Sequence, residues 1–216
     1  MSRQSSVNSN ASLTTRDSRL TTSSPLILAS GSSIRQQMLK ALGLQFSVVP
    51  SGVEEDAIKA AMQGAAIPEI AAALAAAKTL SVSRQHPDAY TIGADQICVL
   101  EGKILSKPGT YARAEAQLAQ LSGRTHQQHC AVVIARGDEI LWQYHDVATL
   151  TLRTLTPAEI HAYVAADAPL SSCGAYKFEG LGRHLFARVE GDHDVIQGLA
   201  LVPLLSMLHA LGIIQL

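Results

Sequence analysis

Hydrophobic positions in this chain switch repeatedly between short continuous runs and helical spacing. That alternation predicts an α/β or α+β sheet protein rather than a helix bundle or a β-sandwich. Pro25 to Ala29 reads as a strand and Ser33 to Leu42 as a helix stopped by Gly43. Phe46 to Pro50 reads as a short strand leading to the acidic Glu54-Glu55-Asp56. Pro68 suits the first turn of an Ala-rich helix running to about Arg84. Tyr90 to Leu100 is β-rich and turns back through Glu101-Gly102-Lys103 into Ile104 and Leu105. Tyr111 to Leu121 follows as a helix ending near Gly123. Ala131 to Ala135 and Ile140 to Tyr144 flank Arg136-Gly137-Asp138 as a hairpin, and Ala148 to Arg153 extends the β pattern. Thr156-Pro157-Ala158-Glu159 opens a helix as a capping box. A strand from Leu185 to Glu190, an acidic loop and a helix around Val202 to Ala210 come last.

The chain has 216 residues, 47% of them hydrophobic, enough for one core or two lobes around a cleft. Its 17 Lys and Arg against 18 Asp and Glu leave a formal charge of −1, and aromatic residues make up only 4%. Neither a basic field nor a stacking stripe is present to hold a long nucleic acid, whereas a small anion held by a few local cations fits. Cys98, Cys130 and Cys173 are odd in number and lack the close spacing of a zinc site, which reads as a reducing, cytoplasmic setting. Residues 1–24, rich in Ser, Thr and Asn, read as a disordered tail without the apolar run of a secretory signal, so the folded domain is expected over 25–216. No apolar run reaches the roughly 18 residues of a membrane span.

Candidate chemistry begins at Leu26 to Lys40, where an apolar run breaks at Ser30-Gly31-Ser32-Ser33 and restarts as a helix carrying Arg35 in its first turn. Exposed backbone N–H groups, the positive end of the helix dipole and a forked guanidinium together suit phosphate. The same serines suit plain helix caps, with Ile34, Met38 and Leu42 facing the core. Asp95, in Ile92-Gly93-Ala94-Asp95-Gln96, interrupts an apolar strand, and a buried carboxylate there requires a cation, a metal or hydrogen bonds. Lys107, just after the returning hairpin, and Lys78, near the end of the Ala-rich helix, can face the same cleft as a phosphate clamp or stand as surface charges. Glu54 and Glu55 offer metal oxygens or form a solvated acidic loop. His126 and His129, three apart at the start of a strand, point to opposite faces and do not share a metal. Cys173 has no base placed beside it and reads as a packed thiol.

Taken together, several of these segments resemble the Maf family of nucleotide pyrophosphatases. The likeness rests on Leu28-Ala29-Ser30-Gly31-Ser32-Ser33-Ile34-Arg35, Val53-Glu54-Glu55, Leu74 to Lys78, Gly93-Ala94-Asp95, Leu105 to Pro108, Leu121 to His126, Cys173 to Gly180 and Val195 to Leu201. The resemblance implies an elongated mixed α+β fold, with a central mixed sheet flanked by helices and two lobes around a nucleotide cleft. It implies hydrolysis of a nucleoside triphosphate to the monophosphate and pyrophosphate with Mg²⁺ or Mn²⁺. Asp95 is then the proton acceptor; Ser30, Arg35, Lys78 and Lys107 bind phosphates, with Lys177 as a further charge; Glu55 joins Asp95 at the metal. A homodimer is a family expectation. Ile34 stands where characterised subgroups carry Arg or Trp, and Ser171-Ser172-Cys173-Gly174 lacks the lysine of the pyrimidine-preferring subgroup. Gln96 and Glu179 resemble the subgroup acting on 7-methyl-GTP, which makes Ile34, Gln96 and Glu179 the specificity positions. The altered Ser33-Ile34-Arg35-Gln36 loop also suits a regulatory protein that binds nucleotide without turnover.

Overall fold

The computed structural model describes residues 21–22 and 24–215. Its strands are β1 (Thr21–Thr22), β2 (Leu26–Leu28), β3 (Ser47–Val48), β4 (Tyr90–Leu100), β5 (Lys103–Leu105), β6 (Thr125–Arg136), β7 (Glu139–Leu152), β8 (Phe186–Glu190) and β9 (Ile214–Gln215). Its helices are α1 (Ser33–Ala41), α2 (Glu55–Ala61), α3 (Ile67–Ser83), α4 (Tyr111–Leu121), α5 (Pro157–Asp167), α6 (His193–Ile196) and α7 (Leu201–Ala210), with a 3₁₀ turn over Leu181–Leu185. A mixed seven-stranded sheet runs β3-β2-β4-β6-β7-β8, with β5 added beside β4. The β2 pairings to β3 and β4 are parallel and the rest antiparallel. The alternating pattern predicts a sheet protein of the α/β or α+β class, and the mixed sheet flanked by helices is the form the family resemblance implies.

Side-chain alternation divides the core between the two faces of the sheet. On one face Ile92, Ala94, Val132, Ile134 and Leu150 join the large cluster packed by the residues of α1, α4, α5 and α7. On the other, Ile97, Val99, Ala131 and Val133 pack against Ile70, Ala71, Leu74 and Ala75 of α3. No helix among the described residues is long and apolar enough to cross a membrane.

Strand β4 positions the site because its two edges differ. Along one edge β6 pairs with it from Thr91 to Val99. Along the other, β2 covers Tyr90 to Ile92 and β5 covers Cys98 to Leu100. Between them, Gly93 to Ile97 have no strand on that second edge among the described residues, and that interruption forms the floor of a cleft. Alternate carbonyls face it: Ile92 O accepts from Ala29 N–H at 2.7 Å, Ala94 O from Arg35 Nη1 at 2.8 Å, and Gln96 O from Cys173 Sγ at 3.8 Å.

Several sequence expectations change in detail. The acidic Glu54-Glu55-Asp56 is the start of α2 rather than a loop, with Glu55 and Asp56 in its first turn where the helix dipole favours them. None of its residues is buried, so it has no apolar stripe to announce it. The separate strands expected after Gly123 are two long ones, β6 and β7, joined across the Gly137 turn. Asp192-His193-Asp194 enters the short α6, with the Asp192 side chain accepting from Asp194 N–H at 2.9 Å. The tail expected over 1–24 lies outside the described residues apart from Ser24 and Thr21–Thr22, which pair with Ile214–Gln215.

Candidate active site

Asp95 projects from β4 on the face covered by α3 and is 5% exposed. Gly93, two residues earlier on that face, lets the helix come close: a Cβ there would lie 2.1 Å from Thr79 Oγ1 and 3.2 Å from its Cα. The preceding residue on the helix, Lys78, thereby reaches the strand with its ammonium 2.5 Å from Asp95 Oδ1. The same nitrogen is 2.7 Å from Glu55 Oε1 of α2. Burial pushes the Glu55 carboxyl up, but the hydrogen bond and charge of Lys78, with Lys107 and Lys59 behind it, outweigh that and hold it at about 2. Lys59, one helical turn from Glu55, adds a contact to Glu55 Oε2 at 3.4 Å. Sequence reading passed over Lys59; its i,i+4 spacing from Glu55 was the available signal.

Arg35 stands on the other side of the broken edge. Its Nε donates to Gly198 O at 2.7 Å, and its Nη1 donates to Ala94 O at 2.8 Å and Ser30 Oγ at 3.1 Å. Ser30 Oγ also accepts from Ser32 N–H at 3.3 Å. Gly198 has φ +90°, and a Cβ there would meet Arg35 Nη2 at 3.1 Å, so the guanidinium lies close against that turn. Of the two roles open to the serines, the cap is not taken: Ser32 precedes α1 without a side-chain capping bond. Arg35 ties α1 to β4 and to the turn before α7 through neutral oxygens.

These groups line one cleft of about 780 Å³, within the range of small-molecule sites. Ser30, Ile34, Arg35, Glu55, Lys78, Asp95, Gln96, Lys107, Lys177 and Glu179 all lie on its wall, so the sequence candidates converge. Their partners were less visible. Lys78 is bound to two carboxylates, and Lys177 Nζ donates to Asp167 O at 2.5 Å, at the C-terminal end of α5. Gln96 Nε2 donates to Val195 O at 3.1 Å and Ile196 O at 2.6 Å. Ile34 is partly buried and packs against the large core cluster.

A polar network under the cleft was not foreseen. Tyr176 OH lies 2.7 Å from His126 Nε2 and accepts from Gln128 Nε2 at 2.8 Å, and Gln128 Nε2 also reaches Cys173 O at 3.3 Å. Burial pulls the His126 imidazole down to about 4, so it is neutral at pH 7. His129 lies on the opposite face, its Nδ1 3.2 Å from His145 Nε2, as the strand alternation required. Among the described residues no group of three or more His, Cys, Asp or Glu is arranged to hold a metal. Cys173 lines the cleft, but burial pushes its thiol up, which fits a packed thiol rather than a nucleophile.

Fold and site together define an α+β protein with a cation-lined cleft, cut into the edge of its central sheet around a buried carboxylate. The chain belongs to the Maf family: the family model described as "Maf-like protein" matches residues 25–211. A protein of Legionella pneumophila named nucleoside triphosphate pyrophosphatase is 45% identical over 190 residues, spanning 88% of this chain and 95% of that one. One of the same name from Nitrobacter winogradskyi is 43% identical over 196 residues, 90% of this chain and 97% of its own. Among solved structures, the nucleoside-triphosphatase or dITP/XTP pyrophosphatase of Mycobacterium abscessus aligns with a TM-score of 0.43 at 16% identity, covering 87% of this chain and 97% of that one.

Proposed function

We propose that this chain hydrolyses a nucleoside triphosphate to the monophosphate and pyrophosphate, with Asp95 as the proton acceptor. The observation that carries the reading is Asp95 itself: a 5%-exposed carboxylate at an unpaired strand edge, opening onto a cleft walled by Arg35, Lys78 and Lys107. Its carboxylate takes a proton from water as the water oxygen bonds to phosphorus and the α–β anhydride bond breaks. Arg35 holds the cleft walls in register, while the lysines neutralise charge growing on the departing pyrophosphate.

Asp95 and Glu55 suit a Mg²⁺ or Mn²⁺ ion by donor chemistry. Both are hard oxygen ligands beside a phosphate cleft, and such ions are commonly held by one or two carboxylates completed by substrate phosphates. When bound, the ion supplies Lewis-acid polarisation and lowers the pKa of its water.

The cleft also supports a purine or modified-purine preference. Gln96 spends both amide donors on Val195 and Ile196 carbonyls, so its oxygen is what it offers a base. Glu179 offers acceptors only. A base edge rich in N–H donors, as in guanine or 7-methylguanine, suits that pair better than uracil or thymine.

The test is pyrophosphate release from canonical, methylated and oxidised nucleoside triphosphates with Mg²⁺ or Mn²⁺. Asp95→Asn is expected to lower kcat by about 10²- to 10⁴-fold, and 7-methyl-GTP to outrun UTP and dTTP. Unchanged turnover in Asp95→Asn overturns the proton-acceptor role. Nucleotide binding without turnover by the native chain makes it a binder instead.

A further inference from the structure

Lys78 is bound in an unusual way for a phosphate ligand. Its side chain is 11% exposed and its ammonium sits between two carboxylate oxygens, at 2.5 Å from Asp95 Oδ1 and 2.7 Å from Glu55 Oε1. A magnesium-sized ion held by those two oxygens would lie about 2.1 Å from each. The ammonium, at 2.5 and 2.7 Å, already compensates both oxygens, and a second cation brought to the same pair is repelled by its charge. Ammonium and ion therefore exclude each other.

Building on the pyrophosphatase reading above, we propose that Lys78 occupies the divalent-cation position itself and yields it only when nucleotide phosphates give its ammonium a new partner. The α3 backbone is held against β4 at Gly93, so the exchange is a swing of the lysine head group rather than a movement of the helix. In the nucleotide-free chain the carboxylates are already compensated and a divalent ion gains little by displacing the lysine. With a triphosphate in the cleft the ammonium transfers to phosphate oxygens and leaves both carboxylates to the ion. Metal and nucleotide then strengthen each other's binding by the same factor, as linkage requires. Lys78 thereby keeps the hydrolytic carboxylate covered until substrate arrives.

The experiment measures Mn²⁺ affinity of the full chain by electron paramagnetic resonance and calorimetry, with and without a non-hydrolysable α,β-methylene nucleotide. Lys78→Met is expected to bind Mn²⁺ about tenfold more tightly than the native chain without nucleotide, and to lose most of the nucleotide-dependent gain. Lys78→Gln serves as a second variant should the methionine form fold poorly. Lys107→Met removes the same charge without vacating the space between the carboxylates and is expected to change Mn²⁺ affinity far less. Equal tightening by Lys107→Met reduces the effect to net charge and overturns the exchange. So does unchanged affinity in both Lys78 variants while Asp95→Asn abolishes Mn²⁺ binding; in that case the metal site and the hydrolytic reading stand. Mn²⁺ binding insensitive to both Asp95→Asn and Glu55→Gln removes the ion from these oxygens and overturns the exchange, while pyrophosphate release still judges hydrolysis separately.

Discussion

The two sides of the broken β4 edge each carry a cation reaching in from a helix, and they hold it by different chemistry. Arg35 is bound by Ala94 O, Gly198 O and Ser30 Oγ, all uncharged. Lys78 is bound by two carboxylates. Backbone carbonyls cannot follow a cation that moves, so Arg35 fixes where α1, β4 and the turn before α7 stand relative to one another. The lysine's partners are side chains of opposite charge, and any other cation can satisfy them. One side of the cleft holds geometry and the other holds charge in an exchangeable form.

Stability separates the two sides. Lys78→Met leaves the buried Asp95 without its ion-pair partner, with Glu55 keeping only the longer Lys59 contact, and is expected to cost about 4 kcal/mol, the larger effect. Arg35→Met orphans two carbonyls, while Ser30 Oγ keeps the Ser32 N–H, and is expected to cost about 3 kcal/mol. The discriminating measurement is denaturant unfolding of each variant with and without millimolar Mn²⁺. The divalent ion should restore most of the loss in Lys78→Met, because it binds the native state only, and none in Arg35→Met. Rescue of both, or of neither, would erase the distinction between them.

Much of this was legible along the chain where a residue type carries its own periodic or chemical mark. The bounds expected for α4 coincide with the structure, and Thr156 caps α5 by accepting from Glu159 N–H at 3.3 Å while Glu159 reaches back to Thr156 N–H at 2.7 Å. Asp95 stood out because a carboxylate in an apolar strand contradicts its surroundings. What stayed hidden were partners. The carbonyl that anchors Arg35 belongs to Gly198, 163 residues away, and a backbone oxygen leaves no trace in a side-chain pattern. Lys78 was visible as a charge facing the cleft, but that it is bound to Glu55 and Asp95 depends on how α2 and α3 pack. The network of His126, Tyr176 and Gln128 joins β6 to the loop after α5 and shows no local spacing at all.

That network belongs to the geometric side of the comparison and makes it sensitive to acid. The His126 ring is 2% exposed, and burial lowers it from about 6.5 to about 4. Below pH 6.5 the unfolded chain takes up a proton that the folded chain refuses, so stability falls as pH drops toward 4. The expected loss across that window is about 2 to 3 kcal/mol. Stability curves at several pH values, for the native chain and for His126→Asn, test this; a slope between pH 6.5 and 4 that survives the substitution assigns the acid sensitivity elsewhere.

The smallest effect should fall on the exchangeable side alone. Gly93→Ala places a methyl group against Thr79, where the nearest contacts include that residue's Cα at 3.2 Å as well as its hydroxyl. A hydroxyl can turn aside, but the helix backbone has to shift, and such overpacking costs about 2 kcal/mol. The shift lifts Lys78, the residue beside Thr79, away from Asp95. Stability and Mn²⁺ affinity should therefore move in opposite directions: the fold is weakened while the carboxylates are released to the ion. Arg35 lies across the strand from this contact and keeps its three bonds. If Gly93→Ala weakens Mn²⁺ binding along with the fold, drawing Lys78 back does not release the carboxylates to the ion and the exchange fails.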